Sequence, residues 1–234
     1  MDNLLQVRDA HTFIGQFHIL QGVTVNVPQG AITALLGRNG AGKTTTLKTI
    51  LGLTPPRQGQ VIFDGQEIQG RHTFDISALG IGFVPDYRAI FRDLTVAENL
   101  QIAERKQGDL ARRQELIFGL FPDLKRLIKL RGTQLSGGQQ QMLAIARALV
   151  AENKLLLIDE PTEGLAPVLI EQMMKAILQL SAETTVLLVE QNFAVATQLA
   201  KYYVIVEEGR TVKSGAMPDL LKDEATIHRY LGAA

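Results

Sequence analysis

The residues Gly37 to Thr44, GRNGAGKT, carry the strongest chemical signal in the sequence. They fit G-x-x-x-x-G-K-[ST], between the apolar run AITALL and the helix-like run TTTLKTILGL. Gly37, Gly40 and Gly42 free the backbone to turn, so the loop through Arg38, Asn39 and Ala41 can wrap a β-phosphate. Lys43 can reach the β and γ oxygens, the Thr44 hydroxyl suits Mg²⁺, and Thr45 adds a second hydroxyl at the helix start. The spacing therefore points to a nucleoside triphosphate.

Two further stretches offer chemistry. KLLLIDEP, Lys154 to Pro161, reads as a buried strand ending in two carboxylates. Asp159 is placed to join a Mg²⁺ shell, and Glu160 to accept a proton from an attacking water. Acidic pairs also end strands without any function; the cradle is what gives these two a task. LSGGQQQMLAIARAL, Leu135 to Leu149, begins with Ser136 as N-cap and becomes apolar at helical spacing. Gly137 and Gly138 leave the first N–H groups of that helix uncovered, a natural anion site. An ordinary capped helix would read the same way, so the anion must be sought elsewhere.

These residues need a scaffold. The chain has 234 residues, 46% of them hydrophobic and 21% charged, enough to bury a full core. Val/Ile/Leu-rich runs (AITALLG, IGFVP, KLLLIDE, TTVLLVEQ, YYVIVEEG) alternate with helical patterns, which argues for an α/β fold with a mostly parallel core sheet. The runs near 4–27 and 60–64 read as antiparallel hairpins. From about 89 to 150 the pattern is helical alone, a helical insertion in an α/β core of about 1–88 and 151–234. The stretch 209–234 reads as a hairpin and two short helices.

Composition excludes several classes. Lys plus Arg and Asp plus Glu both number 24, so no general affinity for nucleic acid is expected. The absence of cysteine removes disulfides and zinc–thiolate sites. MDNLLQVRDA lacks the features of a signal peptide, and no run approaches the ~20 apolar residues of a membrane span. A cytosolic location is expected.

The cradle, LSGGQQ and LLLIDEPT, in that order with a helical insert before the second, resemble the ATP-binding subunits of ABC transporters across essentially the whole chain. The resemblance implies a P-loop NTPase fold using ATP and Mg²⁺, in which two subunits close head to tail. The start of the LSGGQ helix, here Ser136, Gly137, Gly138 and Gln139, then grips the γ-phosphate held by the other subunit. VPDYRAIFRDLTVAENL, DEPTEGLAP and LLVEQN narrow the resemblance to the LivF-type ATPases of branched-chain amino-acid importers. That implies a second ATPase subunit, heterodimeric by preference though a homodimer fits too, two membrane permease subunits and a periplasmic substrate-binding protein. The chain would sit on the cytoplasmic side of the inner membrane, with Tyr87 to Leu100 in the region that receives a permease helix.

Four positions depart from the wider family pattern. The aromatic that commonly precedes the early glycine, to stack on adenine, is Ile14 before Gly15, with Phe13 or Phe17 as substitutes. The loop glutamine after VP is Asp86, a potential metal ligand. The histidine after VLLVE is Gln191, which can donate to a γ-phosphate but carries no positive charge. EGLAP, from Glu163, stands where Ser-Ala-Leu-Asp is common. Alternatives are an importer of urea or short amides, a weakly hydrolysing regulatory subunit, a soluble ABC ATPase of DNA repair or translation, and a small-molecule kinase. The intact Asp159 and Glu160 speak against the regulatory subunit. The absence of a coiled-coil insert or second cassette speaks against the soluble ATPase, and LSGGQ against the kinase.

Overall fold

The computed structural model describes residues 2–232. The chain begins with a hairpin, β1 (Asn3–Ile14) and β2 (Phe17–Pro28), then enters β3 (Ile32–Leu36) and, through the glycine-rich loop, α1 (Lys43–Ile50). β4 (Gln58–Phe63) and β5 (Gln66–Glu67) return to the hairpin and complete an antiparallel sheet of order β2-β1-β4-β5. α2 (Thr73–Ala78) leads to β6 (Ile81–Val84). Four helices follow: α3 (Val96–Gln101), α4 (Asp109–Leu120), α5 (Pro122–Arg126) and α6 (Gly137–Val150). The chain then alternates through β7 (Leu155–Asp159), α7 (Pro167–Leu180), β8 (Thr185–Val189) and α8 (Phe193–Leu199) to the hairpin β9 (Tyr202–Glu207) and β10 (Arg210–Ala216).

The second sheet has the order β10-β9-β3-β8-β7-β6, parallel throughout except for β9 with β10. β3, β7 and β8 are buried at every position, the signature of parallel strands covered on both faces. Their side chains divide by alternation. Ala34, Leu36, Leu156, Ile158, Val186 and Leu188 meet the face that carries α6, α7 and α8. Leu35, Leu155, Leu157, Leu187 and Val189 pack instead with Leu47 and Ile50 of α1 and the inner face of the antiparallel sheet. The expected α/β fold, with its antiparallel subdomain and helical segment, is thus the observed one.

Local chemistry sets the boundaries. Thr95 and Glu98 form a capping box at α3, and Pro167 opens α7. TVAENLQIAER, which reads as one helix, stops at Gln101. The Asp109 carboxylate accepts the backbone N–H groups of Arg105 and Lys106, turning the chain before α4. β10 is followed by short helical turns at Met217–Leu220, Glu224–Thr226 and Ile227–Leu231; residues 233 and 234 of the expected C-terminal stretch lie outside the described ones.

Candidate functional site

The loop Gly37 to Gly42 runs from the carboxyl end of β3 to the start of α1. A Cβ on Gly37 (φ 149°) would lie 2.2 Å from the Val206 carbonyl oxygen, so only glycine fits there. Lys43 is buried, and its ammonium donates to the carbonyls of Gly37 (2.9 Å) and Arg38 (3.2 Å), drawing the loop around its own cation. Gly42 (φ 108°) starts α1 and offers no side-chain cap. The first N–H groups of α1 therefore point into the loop uncovered, the arrangement that binds phosphate.

β8 lies between β3 and β7, which brings the end of β7 beside the cradle. Asp159 is completely buried and neither carboxylate oxygen has a hydrogen-bond partner. Burial pushes it up to about 6, against the pull of the neighbouring Thr44 hydroxyl, with repulsion from Asp86 and Glu160 adding to the rise. Thr44 thus acts on Asp159 by proximity without a formed hydrogen bond. An unpartnered buried carboxylate beside a hydroxyl is a hard-oxygen donor set, and it fits Mg²⁺. Among the described residues no group of three or more carboxylates and histidines converges on a metal, so such a cation would complete its shell from phosphate oxygens and water.

Glu160 follows in the left-handed region (φ 47°), an uncommon conformation for a side chain of this size. It is held there by its N–H to the Val189 carbonyl (2.9 Å). One carboxylate oxygen lies 3.6 Å from the Lys43 ammonium and the other accepts from Gln191 Nε2 at 2.7 Å. The two contacts hold this carboxylate between the cradle lysine and the loop after β8. The Glu160 charge raises Glu163 above the usual carboxylate range, through repulsion first and a side-chain hydrogen bond second, with Asp86 adding to it. Asp86 itself is exposed and acts through its charge on these neighbours.

Ser136 caps α6: its hydroxyl accepts from the Gln139 N–H (3.3 Å), while the Gln139 side chain accepts from the Ser136 N–H (2.9 Å). The start of α6 is therefore partly satisfied, in contrast to that of α1. Its two glycines face other parts of the same chain. A Cβ on Gly137 would lie 2.7 Å from Arg88 Nη1, and one on Gly138 would lie 2.4 Å from Leu169 Cδ1. Among the described residues no hydrogen bond or ion pair joins Ser136–Gln139 to the cradle.

At the hairpin tip, Phe13 is engaged on both sides of β1. His18 stacks on it from β2 (4.2 Å, 5°) and the Arg57 guanidinium lies over it from the segment before β4 (4.3 Å). Ile14 and Phe17, 46% and 65% exposed, are the apolar surface that remains open there.

The model of the ABC transporter family matches residues 20–163, spanning the cradle, the α6 start and the β7 carboxylates. The chain belongs to this family. As an ABC transporter ATP-binding protein it is an ATPase. It is 39% identical over 232 residues, 98% of the chain and 100% of the relative, to the high-affinity branched-chain amino acid transport ATP-binding protein BraG of Pseudomonas aeruginosa. It is 37% identical over 213 residues, 89% of the chain and 90% of the relative, to the probable branched-chain amino acid transport ATP-binding protein LivF of Archaeoglobus fulgidus. Among solved structures, an ATP-binding subunit of an ABC transporter superposes with a TM-score of 0.82 at 28% identity, covering 98% and 96% of the two chains. An ATP-binding cassette in its ADP conformation gives 0.87 at 24% identity, covering 97% and 98%, a likeness of fold.

For this ABC ATPase the fold gathers the cradle, Asp159, Glu160 and Gln191 at the carboxyl ends of adjacent parallel strands, where open α/β sheets place their ligands. Sequence reading passed over Arg88, Leu169 and the buried pair Thr162 and Glu190. Arg88 carries one available signal, its place two residues after Asp86. The others become visible only when distant loops meet.

Proposed function

We propose that this chain is the ATP-hydrolysing subunit of an importer of branched-chain or other neutral amino acids. The observation that carries the reading is the near full-length match to two branched-chain amino acid transport ATP-binding proteins. In the proposed cycle the Gly37–Thr45 cradle binds the triphosphate; Thr44 and Asp159 would hold Mg²⁺, which when bound would supply positive charge beside the phosphate oxygens. Glu160 takes the proton of the attacking water and Gln191 keeps that carboxylate in place. The α6 start of a second ATPase subunit faces the nucleotide; Asp86 serves the metal side, and Ile14 and Phe17 receive the base by apolar contact.

Two permease subunits and a periplasmic binding protein complete the importer, with this chain at the cytoplasmic face. Among the described residues no helix is long and apolar enough to cross a membrane. A cleft of about 260 Å³ lies between α2, β6 and α6, lined by Leu53, Phe83, Ala103 and Arg147. Arg147 donates to the Ala89 carbonyl and covers the half-exposed Phe91 ring (4.8 Å). The apolar residues of the cleft, Leu53, Phe83 and Ala103, together with the exposed Tyr87 and Phe91, support this region as the permease contact.

The test is Mg²⁺-dependent ATP hydrolysis by the purified chain, alone and mixed with candidate partner ATPases. Glu160→Gln should keep ATP binding while turnover falls at least ~100-fold. Wild-type turnover in that variant would remove Glu160 from its role, and activity only in a mixture would identify the heterodimer.

A further inference from the structure

Glu190, the residue after β8, carries a carboxylate that the proposed cycle does not use. It is 3% exposed, yet it follows a strand whose own polar groups are already paired in the sheet. Its partners come from two loops. Oε1 accepts the Thr162 hydroxyl at 2.6 Å, two residues beyond Glu160, and Oε2 accepts the Asn192 N–H at 3.3 Å, one residue beyond Gln191. Asn192 in turn caps α8 by accepting from the Val195 N–H. The Thr162 arm makes this a rigid link, because that buried hydroxyl has no water to turn to if it lets go, while the Asn192 N–H ties the same carboxylate to the more exposed loop beside it.

We propose that Glu190 is a positioning residue that braces the loop after Glu160 against the loop carrying Gln191, and so sets the hydrogen bond between Gln191 and Glu160. The inference rests on the roles assigned above to Glu160 and Gln191. Glu160 occupies a strained backbone conformation, and Gln191 has flexible side-chain torsions. Fixing both loops to one buried group makes their 2.7 Å contact a property of the fold. Arg88 lies near the same loop, 3.9 Å from where a Cβ on Gly164 would be, but on the solvent side.

Thr162→Val keeps the shape and deletes one arm of the brace. The expected result, in whichever assembly hydrolyses ATP, is a kcat lowered about tenfold with KM for ATP unchanged within about twofold. Glu190→Ala should lose at least as much. Glu190→Gln should recover to within about threefold of wild type, because its amide oxygen can face the Asn192 N–H while its NH₂ faces the Thr162 hydroxyl oxygen. In a Gln191→Ala background Thr162→Val should cost less than about twofold, since the contact it sets is already gone. A full tenfold loss in that background overturns the inference while leaving Glu160 and Gln191 in their roles. Wild-type turnover in Glu160→Gln is the separate result that removes those roles. Peptide-level hydrogen exchange gives a readout independent of turnover. Loops 160–164 and 190–193 should lose protection together in Glu190→Ala and in Thr162→Val, and a response confined to one loop overturns the brace.

Discussion

Asp159 is the residue on which this site carries an electrostatic cost. A free aspartate titrates near 3.8, and burial raises this one to about 6. Between those values the native chain holds a proton the unfolded chain has released, so this group's contribution to stability falls as pH rises through the window. Above about 6 the native chain bears the whole penalty of an unpartnered buried charge. Asp159→Asn should therefore raise the Tm of the nucleotide-free chain at pH 7.5, by about 2–4 °C for each kcal/mol recovered. The gain should shrink as pH is lowered towards 5, and Mg²⁺-dependent hydrolysis should fall at least ~100-fold. A lower Tm at pH 7.5, measured by scanning calorimetry, would show that the carboxylate has a partner worth more than its burial costs. At this scale the sequence was highly informative for Lys43, Thr44, Asp159 and Glu160, whose residue types follow from phosphate chemistry at fixed local spacing. The brace of Thr162 and Glu190 was not legible, because its halves are 28 residues apart and neither loop declares the other.

Among the elements, α6 shows why a short motif can have two causes. The space over Gly138 is taken by Leu169 of α7, so glycine is needed for packing within the chain whatever approaches from outside. The clash of an added methyl would fall on the far end of a flexible side chain, and Gly138→Ala should cost about 1 kcal/mol of stability. Leu169→Ala removes that clash while giving up its own half-buried contacts, so adding Gly138→Ala to Leu169→Ala should cost no further stability. Turnover should stay at least ~10-fold down in the double variant if the α6 start must also approach a nucleotide held by a second subunit. Recovery of turnover in that variant would reduce Gly138 to a packing residue. The strands and most helices were readable from apolar period and caps. α2 and the early end of α3 were not, since a six-residue helix shows little periodicity and the Asp109 turn acts from outside the helix it ends.

For the whole molecule, the two helix starts are unequal: α1 is uncapped at the cradle and α6 is capped and faces elsewhere. If the second supplies what the first lacks, nucleotide is the adhesive between subunits. Sedimentation of Glu160→Gln with ATP and Mg²⁺ should then show a complex of two ATPase subunits, which ADP does not support. A species that stays monomeric with ATP, alone and with every candidate partner, would contradict the head-to-tail assembly. The fold class was legible from alternating β and α patterns, but the partner was not, because a matching surface is written in another chain.

Lys43 spends its ammonium on the carbonyls of the loop that surrounds it and lies close to Glu160. The cradle thereby contains its own internal counterweight, and its shape does not depend on a guest for its bonding. A phosphate entering the loop then meets a cation already in place, and what it must bring about is a trade of partners around Lys43.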